Sequence, residues 1–290
     1  MPATLPDWSR AADGLFDSHC HLADAEFASD VDAVLTRAAD SGVAGILAVG
    51  YDLATSRRSV EIASGREWIR AAVGIHPNQA HVVDPSFWAE IAHLAADPRV
   101  VAIGETGLDH FRDTTPRTSQ ADALEWHLSL ASTLRKPVIL HNRDADEDLL
   151  AIVSDWASAQ RRGGWDGPLG VMHCFGGDVA LAERSVALGL MVSIAGNVTY
   201  RTAERVRAVA TVVPDDWLLI ETDAPYLPPV PHRGRRCEPA HLIAIARAVA
   251  SLRHVEMDEL SATTARNAQR LLRLERREPA STGVRTVHPG

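Results

Sequence analysis

Short apolar runs rich in Val, Ile and Leu alternate with longer amphipathic stretches from residue 15 to about residue 250, and nothing else in the sequence restricts the fold as tightly. The runs at Leu15–Ser18, Val43–Val49, Ile69–Gly74, Val100–Gly104, Val138–Leu140, Leu169–Met172, Met191–Ala195 and Leu218–Ile220 have the length and composition of buried strands. Between them, stretches such as Asp30–Ser41 (DVDAVLTRAADS) and Asp178–Leu188 (DVALAERSVAL) carry Ala, Val and Leu at i, i+3 and i+4 spacing, which predicts helices with one buried stripe each. Eight strands alternating with helices predict an α/β fold of the (β/α)8 TIM-barrel type, and 290 residues accommodate one such barrel of about 250 residues. A doubly wound open sheet would show the same alternation. The GxGxxG fingerprint that often accompanies it is missing after the first strand, where FDSHCHL stands instead. Residues 15–273 are therefore expected to form a single catalytic barrel. Residues 1–14 and 274–290, polar and bearing Pro and Gly, are expected to be flexible extensions.

Composition narrows the chemistry. The formal charge of -9 gives no global attraction for phosphates, so a nucleic-acid ligand would need a local basic rim or bound metal ions. All but one of the 29 basic residues are arginine, and the exception, Lys136, is the only candidate for any lysine-dependent step. Cys20, Cys174 and Cys237 are odd in number and far apart, which is no disulfide framework. The N-terminus lacks the basic start and apolar stretch of a signal peptide, and no run of 18 apolar residues occurs, so a cytoplasmic protein without a membrane partner is expected. The absence of long heptad runs predicts a monomer.

The candidate chemistry lies at the strand ends. The first strand closes in His19-Cys20-His21, whose period of two sends both imidazoles to one side. Glu105 follows VVAIG, His141 follows PVIL, His173 follows LGVM, and Asp223 follows LLIET. In a barrel, all these ends open onto the C-terminal face, where barrel enzymes do their chemistry. Four histidines and two carboxylates exceed the needs of one ion with an open position, so two divalent ions sharing Glu105 is the economical arrangement. A mixed N/O set suits Zn²⁺ or Mn²⁺, tolerates Fe or Ni, and fits Mg²⁺ less naturally. Lys136 precedes Pro137 at the opposite end of strand five, which excludes a carbamylated lysine as bridge.

FDSHCHL, VGIHPNQA, AIGETGLDHFRD, KPVILHNRDA, GVMHCFGG, LLIETDAPYLPP and RRCEPAHL together resemble the signature blocks of the TatD-type metal-dependent hydrolases, whose described members are mainly deoxyribonucleases. The resemblance spans about residues 15 to 273. It implies an amidohydrolase-type barrel with two metals, one held by His19, His21, Glu105 and Asp223, the other by Glu105, His141 and His173. It also implies that His76, in VGIHP, stands at the site rim and contacts the scissile phosphate. Two departures from the family pattern bear on substrate preference: His110-Phe111 replaces an aromatic pair, and Cys237 stands where asparagine is frequent.

The expected reaction is hydrolysis of DNA phosphodiesters, on single strands or at 3′ ends, with Asp223 as both ligand and proton acceptor. Arg143, beside His141, is read as a phosphate clamp or a surface helix-cap salt bridge. The PHRGRR loop supplies Arg233, Arg235 and Arg236 as a basic rim, or as a solvated arginine-rich loop. Glu238 is expected to cap the last barrel helix. The tryptophans are expected to pack in the core, and Trp165, in GGWDGP, is the one with an alternative reading as a base-stacking contact with substrate. The same site could hydrolyse an amide or a carboxylic ester, such as an aminoacyl-tRNA ester, or bind metal without turnover.

Overall fold

Each apolar run forms a strand and each stripe-bearing stretch a helix in the computed structural model, which describes residues 14–82, 84–112 and 114–274. The expected extensions, apart from Gly14 and Leu274, lie outside the described residues. The strands are β1 (Leu15–Cys20), β2 (Val43–Val49), β3 (Ile69–Val73), β4 (Val100–Asp109), β5 (Val138–Arg143), β6 (Gly170–Met172), β7 (Leu190–Ile194) and β8 (Leu218–Ile220). They pair in parallel in sequence order as one sheet. The connecting helices are α1 (Val31–Asp40), α2 (Leu53–Ala63), α3 (Pro85–Ala95), α4 (Arg117–Leu134), α5 (Asp146–Arg162), α6 (Val179–Ala187), α7 (Glu204–Val212) and α8 (Leu242–Arg253), followed by α9 (Met257–Leu272).

Between β8 and β1 the regular ladder gives way to loop contacts. His21 N–H donates to Ala224 O (2.8 Å), Asp223 N–H donates to His19 O (3.0 Å), and Ser18 Oγ donates to Ile220 O (3.0 Å). The nearly closed barrel thus joins its ends at the residues that carry the candidate chemistry.

The barrel interior is dry. Phe16, Leu47, Ala72, Ala102, Ile139, Val171, Met191 and Leu219 draw one buried apolar side chain from every strand, and Ala265, Ala268, Leu271 and Leu272 of α9 pack beneath them. This helix plugs the N-terminal end, and Asn267 ties it to β8 by donating to Leu218 O (2.9 Å). The remaining apolar faces pack between strands and helices. The converging polar side chains lie at the C-terminal mouth. No helix among the described residues is long and apolar enough to cross a membrane.

Three strands run further than hydropathy indicates. β1 reaches Cys20, β4 reaches Asp109 and β5 reaches Arg143, because the backbone ladder continues through Gly107↔His141 and Asp109↔Arg143 whatever the side chains are. Gly107 makes this possible: its φ is +143°, and a Cβ there would lie 2.0 Å from His141 O. Polar side chains are thereby mounted on strands, which hold them more rigidly than loops would.

Candidate metal centre

The six side chains expected from the strand ends converge, and His76 joins them. His19 Nε2 and His21 Nε2 lie 3.2 Å apart. They stand 3.5 and 3.4 Å from Glu105 Oε2 and 4.0 and 3.5 Å from Asp223 Oδ1. The other Glu105 oxygen faces a second group. Oε1 is 2.9 Å from His173 Nε2, 3.0 Å from His141 Nδ1 and 3.4 Å from His76 Nε2. His76 follows β3 in the turn before Pro77, and its Nδ1 accepts from Asn78 N–H (3.1 Å). It therefore sits in the cluster wall, deeper than a rim position.

Glu105 thus divides the cluster into two halves, one on each oxygen. Triads of ligand atoms close enough to hold an ion include His19, His21 and Asp223 on one side and His76, Glu105 and His141 on the other. His19 and His173 also stack face to face, with centroids 3.9 Å apart, and together with Glu221 form a third such triad.

Several imidazoles are oriented from behind. His21 Nδ1 donates to Val49 O (3.0 Å), which leaves its Nε2 lone pair facing the cluster. Behind His173, Glu221 Oε1 is 3.3 Å from Nδ1; behind His141, Asp109 Oδ2 is 3.5 Å from Nε2. Glu221 is fixed in turn by Cys174 N–H (2.6 Å), and Asp109 by Asn78 Nδ2 (2.9 Å) and the Arg112 N–H (3.0 Å). The sequence reading singled out neither Glu221 nor Asp109. Their signal was proximity: Asp109 follows Glu105 by four and Glu221 precedes Asp223 by two, which puts two further carboxylates at the same strand ends.

Electrostatics favour a cation. Burial raises the Glu105 carboxyl, yet the charge of His173 and hydrogen bonds from His141 and His173 outweigh it and hold Glu105 well below the usual range. Burial lowers His19 to about 4 and His76 to about 3, so both imidazoles are neutral; because His76 Nδ1 accepts from Asn78 N–H, its Nε2–H is the side turned to Glu105. Burial pushes Asp223 up to about 6, against the lowering effect of His173 and His21. Burial lowers His141 and His173, yet Asp109 and Glu105 outweigh it at His141 and Glu105 and Glu221 outweigh it at His173, so both rings are raised and their positive charge offsets the buried carboxylates; divalent ions with N/O coordination would take over that charge and fit the donor set.

Other expectations divide. Arg143, on β5 two residues beyond His141, is exposed and lies over the Phe111 ring (3.8 Å), not in a helix-cap salt bridge. Arg233 lies over Tyr200 (3.9 Å), and Arg235 is exposed. None of the three reaches the cluster. Arg236 departs from the basic-rim expectation. It binds Asp30 (2.8 and 2.9 Å) and Glu238 (2.8 Å), which neutralises it. Glu238 stands at the N-cap of the turn Pro239–His241, one turn before α8, whose own N-cap is His241, and it pairs with Arg37 (2.7 Å).

Trp165 packs in the core and does not reach the site. It lies in the α5–β6 connection at the N-terminal end of the barrel, only 3% exposed, with its indole N–H donating to Pro168 O (3.2 Å). A helix-to-strand loop opens on the face opposite the site. Cys237 is buried beside Thr222 O (3.8 Å) and so does not face substrate. Lys136 sits at the N-terminal end of β5, donating to Ala95 O and to Asp97 O (3.4 Å), away from the cluster.

Comparisons with known proteins agree with this geometry. The sequence model of the TatD related DNase family matches residues 16–273. The metal-dependent hydrolase YabD of Bacillus subtilis is 36% identical over 260 residues, covering 90% of this chain and 99% of that protein. A protein named 3′-5′ ssDNA/RNA exonuclease TatD, from Erwinia billingiae, is also 36% identical, covering 90% of this chain and 99% of its own length. Among solved structures, the TatD homologue YjjV of Escherichia coli superposes with a TM-score of 0.83 at 29% identity, covering 90% of this chain and 98% of that one.

Proposed function

We propose that this chain, which belongs to the TatD related DNase family and is a metal-dependent hydrolase of ester bonds, cleaves phosphodiester bonds of DNA, on single strands or at 3′ ends, with two divalent ions. The observation that carries this reading is the division of the cluster by Glu105, with one oxygen facing His19 and His21 and the other facing His141 and His173. His19, His21, Glu105 and Asp223 would hold one ion, and Glu105, His141 and His173 the other. Bound there, the ions would supply a water of lowered pKa and Lewis-acid polarisation of the phosphate.

The chain's own residues do the rest. Asp223 accepts the proton of the attacking water, and its buried position, which raises its proton affinity, suits that task. His76 Nε2, beside Glu105, faces the scissile phosphate. Arg143, Arg233 and Arg235 bind phosphates further along the strand. Glu221, Asp109 and the Val49 carbonyl keep the imidazoles in register. The absence of long heptad runs in the sequence suits a monomer, and the three free cysteines suit a reducing cytoplasm.

Dialysis against chelator should abolish hydrolysis of a single-stranded oligonucleotide, and Mn²⁺, Mg²⁺ or Zn²⁺ should restore it. Undiminished cleavage by protein shown to be metal-free would end this reading. Cleavage of an aminoacyl ester but not of the oligonucleotide would move the substrate to the carboxylic-ester class.

A further inference from the structure

Among the described residues, four large apolar side chains stand largely exposed: Phe111, Val212, Tyr226 and Val230. Three of these are in strand-to-helix loops at the barrel mouth, Phe111 after β4 and Tyr226 and Val230 after β8. Chance scatter over the surface would not favour the mouth, and core packing cannot explain rings 60% and 50% exposed.

The Tyr226 ring is held in place. Its hydroxyl donates to Asp24 Oδ2 (3.1 Å), which also accepts from Tyr51 (3.3 Å). Its backbone N–H donates to Asp223 O (2.8 Å), and its ring centroid is 5.9 Å from that of His21. An exposed aromatic face is thereby fixed beside the cluster. Phe111 is fixed differently. Its N–H donates to Asp109 Oδ1 (3.1 Å), and the Arg143 guanidinium covers its ring. Arg233 and Tyr200 repeat the arginine-on-ring arrangement on the β7–β8 side. Neither Arg143 nor Arg233 pairs with a carboxylate among the described residues, so each charge remains available to an anion.

We infer that Tyr226 and Phe111 are base-stacking platforms that hold nucleosides on either side of the scissile bond. Arg143 and Arg233 bind the phosphates adjoining those bases. A polynucleotide strand repeats one flat base and one anion per unit, and the mouth offers flat rings and unpaired guanidinium groups together. Bases already stacked in a duplex cannot use such platforms, so the rim selects unpaired bases. The inference rests on the phosphodiester reading above and adds to it the residues that recognise the base.

The test compares two ten-nucleotide strands with the same backbone, decathymidylate and a fully abasic decamer, with Mn²⁺ present. The wild-type chain should cleave both, with a KM at least about tenfold lower for decathymidylate. Phe111→Ala and Tyr226→Ala should each remove most of that preference by raising KM for decathymidylate alone. Phe111→Tyr and Tyr226→Phe, which keep the rings, should preserve it. A KM ratio within one preparation does not depend on the fraction of protein correctly folded. Equal KM values for the wild type, or an undiminished preference in the alanine variants, would overturn the platforms and leave phosphodiester hydrolysis standing. Cleavage of neither strand would overturn both.

Discussion

Asp223→Asn should leave the barrel folded and lower kcat for phosphodiester cleavage by roughly 10²- to 10⁴-fold, the usual contribution of a positioned general base. Asparagine is the right replacement because Asp223 has a φ of 54°, a left-handed conformation that Asn, like Asp, adopts more readily than most non-glycine residues. The backbone bonds from Asp223 N–H to His19 O and from Tyr226 N–H to Asp223 O survive the change. What is lost is a carboxylate able to take a proton. Circular dichroism would check the fold and steady-state kinetics the turnover. A folded variant with near-normal kcat would remove Asp223 as the base.

Glu105→Ala should have the larger effect on the metals. Both carboxylate oxygens are engaged, Oε2 near His19 and His21 and Oε1 near His141, His173 and His76, so truncation removes a ligand from both halves at once. The variant is expected to retain at most one ion per chain by elemental analysis, and to lose hydrolysis to near background. Two ions retained per chain would defeat the bridging role. The histidines make this outcome sharper: without Glu105, Asp223 would be the only carboxylate among the proposed ligands of two cations, an arrangement poor in charge compensation.

The barrel was legible in the sequence because parallel strands buried on both faces leave near-continuous apolar runs. So were His19, His21, Glu105, His141, His173 and Asp223, since each one interrupts or ends such a run. The same contrast misplaced the ends of β4 and β5. Hydropathy falls at Glu105 and His141, but the ladder continues to Asp109 and Arg143 because backbone pairing does not depend on side-chain polarity. Glu221 and Asp109 were passed over for a related reason. Their role is a contact with the far side of an imidazole from another strand, and that contact exists only after the barrel closes.

Arginines were counted correctly but sorted only by the structure. Arg236 and Arg233 lie three positions apart in one loop, yet one is neutralised by Asp30 and Glu238 and the other lies over Tyr200 with its charge unspent. Trp165 shows the limit of loop composition as a guide. Its glycines and proline suggested an exposed loop, whereas what decides its role is which end of the barrel the connection closes. Phe111 and Tyr226 stand in the signature blocks of the sequence, but only the structure shows that their rings are exposed at the mouth.

The most direct measurement is a crystal structure of the full chain grown with Mn²⁺ or Zn²⁺, with anomalous scattering recorded at that metal's absorption edge. The account predicts two peaks per chain, one among His19, His21 and Asp223 and one between His141 and His173, with Glu105 contacting both. A single peak, or two peaks that Glu105 does not bridge, would contradict it.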